Sequence, residues 1–202
     1  MESTLARYQR IALFYDFLDA PFERKRYSNL RPLIFQSLDG RLLDAGIGTG
    51  RNCAYYPPGA EVSGIDISPA MLERARDRCP TLALAGRLHQ MDVTDLKFPT
   101  GSFDAAVSTF LFCVLPNDLQ VPALRELGRV VKPCGLIRLL EYVRPRGTLR
   151  RIISRIWQPW IAWAYGASFD RETERRVPEA GLEVIESRYV IDDLLKMITV
   201  RA

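Results

Sequence analysis

Histidine is almost missing from these 202 residues: His89 is the only one, which excludes a catalytic histidine pair and a multi-histidine metal centre. Any Ser–His or Cys–His scheme would have to use that single ring. The four cysteines, Cys53, Cys79, Cys113 and Cys134, stand at least twenty residues apart, a spacing with neither a paired zinc pattern nor a dense disulfide framework. It predicts a reducing, cytoplasmic setting. Long apolar runs are missing too. The longest uncharged stretch, 156–169, falls short of the ~20 residues a membrane-spanning helix needs. Met1-Glu2-Ser3-Thr4 does not open a secretory signal. No G-x-x-x-x-G-K-S/T run occurs, which excludes a P-loop NTPase. There is no internal repeat, low-complexity tract or linker.

A composition of 48% hydrophobic and 26% charged residues describes one globular domain, 1–202. The formal charge of +4 is too scattered to argue for nucleic acid by itself. Leu5, Tyr8, Ile11, Ala12, Tyr15 and Leu18 recur at helical spacing up to Pro21. A second helix is expected over 22–38, broken near Pro32; together the two would form an N-terminal helical cap, 1–38, on a core of 39–202. Beyond residue 40 strands and helices alternate. Strands are expected at 41–45, 61–65, 82–90, 103–110 and 136–142, helices at 70–78 and 119–131. Such alternation implies a mainly parallel sheet covered on both faces. Helices at 148–166 and 171–180 and strands at 182–190 and 194–200 complete the reading.

The most informative segment is Asp44-Ala45-Gly46-Ile47-Gly48-Thr49-Gly50-Arg51-Asn52, where a strand runs into a turn with three alternate glycines. Bare backbone at the carboxyl end of a parallel strand invites a ligand. Asp66 ends the second strand twenty residues after Gly46, where a carboxylate can accept hydrogen bonds from ribose hydroxyls, and Asp92 ends the third in the same way. A dinucleotide fingerprint would need glycine where Arg51 stands, so NAD is disfavoured.

These residues resemble the class I S-adenosylmethionine-dependent methyltransferases. The likeness runs through Asp44 to Gly50, Gly64-Ile65-Asp66-Ile67-Ser68-Pro69-Ala70-Met71-Leu72, Met91-Asp92-Val93 and Ser102-Phe103-Asp104. It continues in Arg129-Val130-Val131-Lys132-Pro133-Cys134-Gly135, where Cys134 replaces the first glycine of the family's K-P-G-G turn. The opening Tyr8 to Asp16 is similar to the first helix of the ubiquinone/menaquinone methyltransferase group. Ser108 to Cys113 and Leu139 to Val143 look like the branch that includes the small-molecule thiol methyltransferases. The resemblance implies an α/β, Rossmann-like, seven-stranded mixed sheet with helices on both faces, the last strand inserted antiparallel, and S-adenosyl-L-methionine as cofactor. It implies further that Asp44, Gly46, Gly48, Gly50 and Asn52 hold the methionyl part, and Asp66 the ribose. Ile67, Met71 and Phe110 would flank the cofactor, Asp92 and Val93 would meet the adenine edge, and Tyr15 would close over the sulfonium. Where that branch often has Glu-His after strand five, this chain has Glu141-Tyr142.

On the acceptor side the candidates are Tyr15, Cys113 and Tyr142. Cys113 reads equally as a small buried hydrophobe, and Tyr142 could orient an acceptor or simply pack. His89, inside a strand, reads as an edge or packed residue rather than a base. Residues 144–166 hold all three tryptophans, Trp157, Trp160 and Trp163, with Arg144, Arg146, Arg150, Arg151 and Arg155 and no acid. Two readings stand side by side: a Trp-rich lid over the pocket, or a peripheral contact with a membrane surface. Both point to methylation of a small hydrophobic or lipid-like acceptor, thiol or amine favoured, with no metal and no nucleic acid. The rivals are a non-catalytic cofactor-binding module and an RNA methyltransferase; no Asn-Pro-Pro-Tyr/Phe sequence follows strand four to support the second.

Overall fold

A computed structural model describes residues 27–165, 167–169 and 171–202, apart from the side chains of 149, 160, 161 and 163–165. The first predicted helix and Tyr15 lie outside the described residues. Seven strands run β1 (Arg41–Ala45), β2 (Glu61–Asp66), β3 (Leu88–Gln90), β4 (Phe103–Thr109), β5 (Val131–Tyr142), β6 (Glu183–Ile191) and β7 (Leu195–Arg201). They form one sheet in the order β3-β2-β1-β4-β5-β7-β6. The first five pair in parallel, and β7 lies antiparallel between β5 and β6. The expected seven-stranded mixed sheet is therefore present. Its strand order reverses between β1 and β4, the place where an open α/β sheet leaves a crevice at the strand ends.

Alternation along the strands fills two cores. Leu43, Ala106, Ile137, Leu139 and Ile198 point to one face, packed under the helix α4 (Asn117–Val130) through Ala123, Leu124 and Leu127. Leu42, Ala105, Val107, Leu140 and Met197 point to the other, against Tyr27, Ile34 and Phe35. Residues 27–38 are thus a layer of the core. Pro32 does not break a long helix there; it sits in the first turn of a short one, α1 (Arg31–Phe35), where its missing N–H costs nothing.

Helices α2 (Pro69–Arg78) and α3 (Pro80–Leu84) follow β2. Ser68 caps α2 by accepting from the Met71 N–H at 3.4 Å. Of the expected strand over 82–90 only 88–90 is strand: 82–84 is the end of α3, because Pro80 presets helical φ, and Gly86, at φ +65°, turns the chain before three residues of edge strand. Helices α5 (Thr148–Tyr165) and α6 (Thr173–Glu179) lie close to their predicted bounds. Cys134 takes φ +67°, which explains the glycine usual at that turn, and a Cβ on the next residue, Gly135, would lie 2.6 Å from the Asp104 carbonyl. The cysteines form no dense framework, but Cys53 and Cys79, 26 residues apart, form one disulfide with their Cα atoms 5.8 Å apart, a bridge the sequence reading did not foresee. They meet because the turn after β1 packs on the end of α2, a proximity no sequence spacing reveals.

Candidate functional site

The turn after β1 carries Gly46, Gly48 and Gly50 at φ +75°, +56° and +80°, a conformation costly for any residue with a Cβ. A Cβ on Gly50 would lie 2.6 Å from the Cys79 Sγ, whereas one on Gly48 would meet only a backbone oxygen at 4.0 Å. The third glycine lets α2 approach. The second leaves backbone bare toward a cleft.

That cleft opens at the strand-order reversal and spans about 880 Å³ of space, open solvent at its mouth included. Eight of the twelve residues expected around a cofactor line it: Gly46, Gly48, Asp66, Ile67, Met71, Asp92, Val93 and Phe110. Asp66 is the polar centre. Its Oδ2 accepts from the Gly48 N–H and its Oδ1 from the Ser68 N–H, both at 2.9 Å, and burial pushes its carboxyl up to about 6. Asp92 accepts on Oδ1 from the Thr94 N–H at 2.9 Å and hydroxyl at 2.7 Å. Arg129 donates to the carbonyls of Phe98 and Leu96 at 2.9 and 2.8 Å and pairs with Glu126, fixing the loop beyond Asp92 on α4.

Three expected contacts lie elsewhere. Asp44, Asn52 and Gly50 do not line the cleft. Asp44 has no exposure: the Asn52 Nδ2 lies 3.1 and 3.0 Å from its two oxygens, the Tyr56 hydroxyl donates at 2.7 Å, and buried Arg31 donates to the Asn52 Oδ1 at 2.6 Å. Burial raises the pKa of Asp44 and of Tyr56. This network braces the glycine turn from below. The reason lies in β1's pleat and the inward turn of residues 52–56, which close over the carboxylate.

On the acceptor side Cys113 is buried. Burial and then nearby Glu141 hold its thiol well above the ordinary range, so it is the small hydrophobe of the two sequence readings and no nucleophile. Tyr142 joins an aromatic group at the ends of β4 and β5. Its ring lies 5.4 Å from Phe110 and 5.5 Å from Phe169, and its hydroxyl is hydrogen-bonded to that of Tyr27. Phe110 holds φ +59°, a strained value for a bulky residue. His89 stands on the edge strand, its ring edge-on to Phe98 at 5.4 Å, as the sequence suggested. Of the tryptophans only Trp157 has a described side chain, and it is exposed. Those of Trp160 and Trp163 lie outside the described residues.

The sequence reading missed Glu141. Its Oε1 accepts from the N–H groups of Leu111 and Phe112, both at 3.0 Å, and its Oε2 from that of Cys113 at 2.9 Å. Burial nonetheless pushes its carboxyl up to about 7. The clamp fixes the loop after β4, whose Leu111, Val114 and Leu115 wall the cleft. A single acid inside the apolar run 139–143 was the available signal.

Residues 42–135 match the family described as methyltransferase domain. Over 152 residues, 73% of this chain and 72% of the relative, the chain is 32% identical to a phosphatidylethanolamine N-methyltransferase of Cereibacter sphaeroides. The chain belongs to the class I S-adenosylmethionine-dependent methyltransferases. This methyltransferase is also 26% identical over 191 residues to a thiol S-methyltransferase of Homo sapiens, covering 90% of this chain and 75% of that one. Among solved structures, the cyclase SpnF superposes with a TM-score of 0.75 at 18% identity, over 99% of this chain and 97% of that one. That likeness concerns fold alone, and a cyclase on this fold shows that the fold does not fix the reaction.

Proposed function

We propose that this methyltransferase transfers a methyl group to a small hydrophobic or lipid-like acceptor, with a thiol or an amine favoured. The observation that carries the reading is the state of the groups packed beside the cleft, behind its wall of Phe110, Leu111 and Leu115. Among the described residues there, Cys113 is held as a thiol, Glu141 is engaged by three backbone N–H groups, and the Tyr142 hydroxyl is bonded to Tyr27. The walls are aromatic and aliphatic. Such a site aligns an acceptor that is already nucleophilic near neutral pH, as a thiolate or free amine is, better than it deprotonates a carbon acid. The named activities of the two relatives, on an aminophospholipid and on thiols, support the same choice.

S-adenosylmethionine, when bound, supplies an electrophilic methyl group on sulfur. The cleft fits it: Asp66 offers a carboxylate to a ribose diol, Gly48 presents bare backbone, and Ile67 and Met71 provide apolar surface for a base. Asp92 and Val93, on the same cleft wall, would meet the base edge. The chain's work is to orient the acceptor lone pair behind the methyl group and to exclude water, for which Phe110 and Leu111 supply apolar wall in the cleft.

A methyl-labelled cofactor assayed against alkyl thiols, aminophospholipids, quinol precursors, phenols and RNA tests the reading. Label is expected in the thiol or aminophospholipid pool. Label only in phenols, quinol precursors or RNA, or none in any pool, overturns it.

A further inference from the structure

Helix α5 is turned inside out. Among the described residues seven large hydrophobic side chains are exposed, and four of them, Ile152, Ile153, Ile156 and Trp157, form one stripe on this helix. Ile156 is 70% exposed and Ile152 51%. The opposite face carries the polar residues: half-buried Ser154 and Gln158 turn toward the body of the protein. Gln158 donates to the Ala167 carbonyl at 3.0 Å and accepts from the Phe169 N–H at 3.2 Å. An ordinary surface helix does the reverse, because burying its apolar stripe is what holds it on the core.

Charge identifies what covers the stripe. At about 3.6 residues per turn, Arg150 and Arg155 fall on either side of the apolar four. No acidic residue occurs between Glu141 and Asp170, an interval that holds five arginines. Arg150 is paired with Asp192 and Asp193 at 3.2 and 2.7 Å, and the Arg146 guanidinium lies over the Tyr189 ring at 5.4 Å, so the two loop acids temper this positive field without reversing it. A second protein would need acids set around an apolar ridge. A bilayer carrying anionic headgroups offers both at once, with Ile and Trp at the acyl boundary and guanidinium groups on phosphate. The helix does not cross: no described helix is long and apolar enough to span a membrane.

We propose that the outward face of α5 docks this methyltransferase on an anionic lipid bilayer. The inward face of the same helix is tied to the aromatic group at the ends of β4 and β5. The chain returning from α5 packs there, through the Ser168 N–H on the Cys113 carbonyl at 2.8 Å and Phe169 against Tyr142. Docking therefore holds that aromatic group within one helix of the membrane surface, near enough for the acceptor to come from the lipid phase; this second step rests on the acceptor reading above, whereas docking itself does not.

The experiment sediments the full chain with phosphatidylcholine vesicles, with and without phosphatidylglycerol, at low and high salt. Wild type is expected to pellet with the anionic vesicles and to be released by salt, since headgroup attraction is screened within ~8 Å at physiological ionic strength. Ile152→Gln with Ile156→Gln keeps helix propensity while removing the apolar stripe, and is expected to lower partitioning about tenfold or more. Arg155→Glu is expected to weaken binding to anionic vesicles only. Unchanged circular dichroism and S-adenosylhomocysteine affinity confirm that the variants are folded. Wild type that ignores vesicles, or variants that bind like wild type, overturn the proposal. So does a concentration-dependent dimer that the glutamine pair dissolves, which would make a second copy the occupant. If vesicles bind and no lipid-phase acceptor is methylated, docking stands and the acceptor reading fails.

Discussion

Asp66 shows how one residue can stand out in the sequence as a site candidate and still be illegible in energetics. Its place at the end of a strand, twenty residues beyond the first glycine, was enough to assign it to a ribose. Its environment was not written in the sequence, because burial depends on how α2 and the glycine turn close around it. With two backbone N–H groups already bonded and a carboxyl near 6, it is a partly desolvated acceptor awaiting hydroxyl donors. Removing it should therefore cost charge-assisted bonds. Asp66→Ala is expected to weaken S-adenosylhomocysteine binding by about 2 kcal/mol or more, some thirtyfold, measured by calorimetry on a variant with native circular dichroism. Unchanged affinity would remove the ribose from Asp66. Asp44 is the contrary case. Sequence position made it a ligand candidate equal to Asp66, but only the folded chain shows Arg31, Asn52 and Tyr56 converging on it and turning it into a brace.

At the scale of elements, sequence legibility followed the strength of the local pattern. Strands β1, β2 and β4 were visible because each is a short apolar run stopped by glycine, aspartate or a change of period, and α2 because Ser68-Pro69 opens it. The segment 82–90 misled because Leu82, Leu84 and Leu88 satisfy a strand pattern while Pro80 and Gly86 decide the backbone. The disulfide was invisible for a different reason: Cys53 and Cys79 are brought together by the packing of the glycine turn on α2, a tertiary event. It ties the cofactor turn to the helix behind it. Closing a loop of 26 residues restricts the unfolded chain, worth about 3 kcal/mol in the chain-entropy account. Under denaturing, non-reducing conditions a thiol reagent is expected to count two free thiols, from Cys113 and Cys134, and dithiothreitol should lower the urea midpoint. Four reactive thiols without reductant would show that the chain exists as a dithiol.

For the whole molecule the carboxyls raised by burial, Asp66 and Glu141 together with Asp44, set a stability that falls with rising pH. Asp66 is raised to about 6 and Glu141 to about 7, above their ordinary values of 3.8 and 4.5. Between about pH 4 and 7 the folded chain therefore holds more protons than the unfolded chain, and stability falls as pH rises through that window. Each tenfold change in proton affinity is worth ~1.4 kcal/mol, so keeping both groups ionised at neutral pH costs several kcal/mol. The exposed acids displaced the other way, Asp193 held at about 2 by Arg150 and Asp104 lowered by Lys132, withdraw stability only at more acid pH. The thermal midpoint of the ligand-free protein is thus expected to be higher near pH 5 than near pH 7.5, and Glu141→Gln should flatten part of that slope. Ligand binding separates Asp66 from Glu141. On the proposed reading ribose hydroxyls would donate to Asp66 and favour its ionised form, so S-adenosylhomocysteine binding near pH 6 should release a proton, seen as a calorimetric enthalpy that varies with the buffer's ionisation heat. Asp66→Asn should abolish that variation. Glu141→Gln should leave it intact, because the Glu141 carboxylate faces three backbone N–H groups rather than the ribose position. A midpoint that rises from pH 5 to 7.5, or proton release that survives Asp66→Asn, would mean that these carboxyls are not the groups that couple folding and cofactor binding to pH.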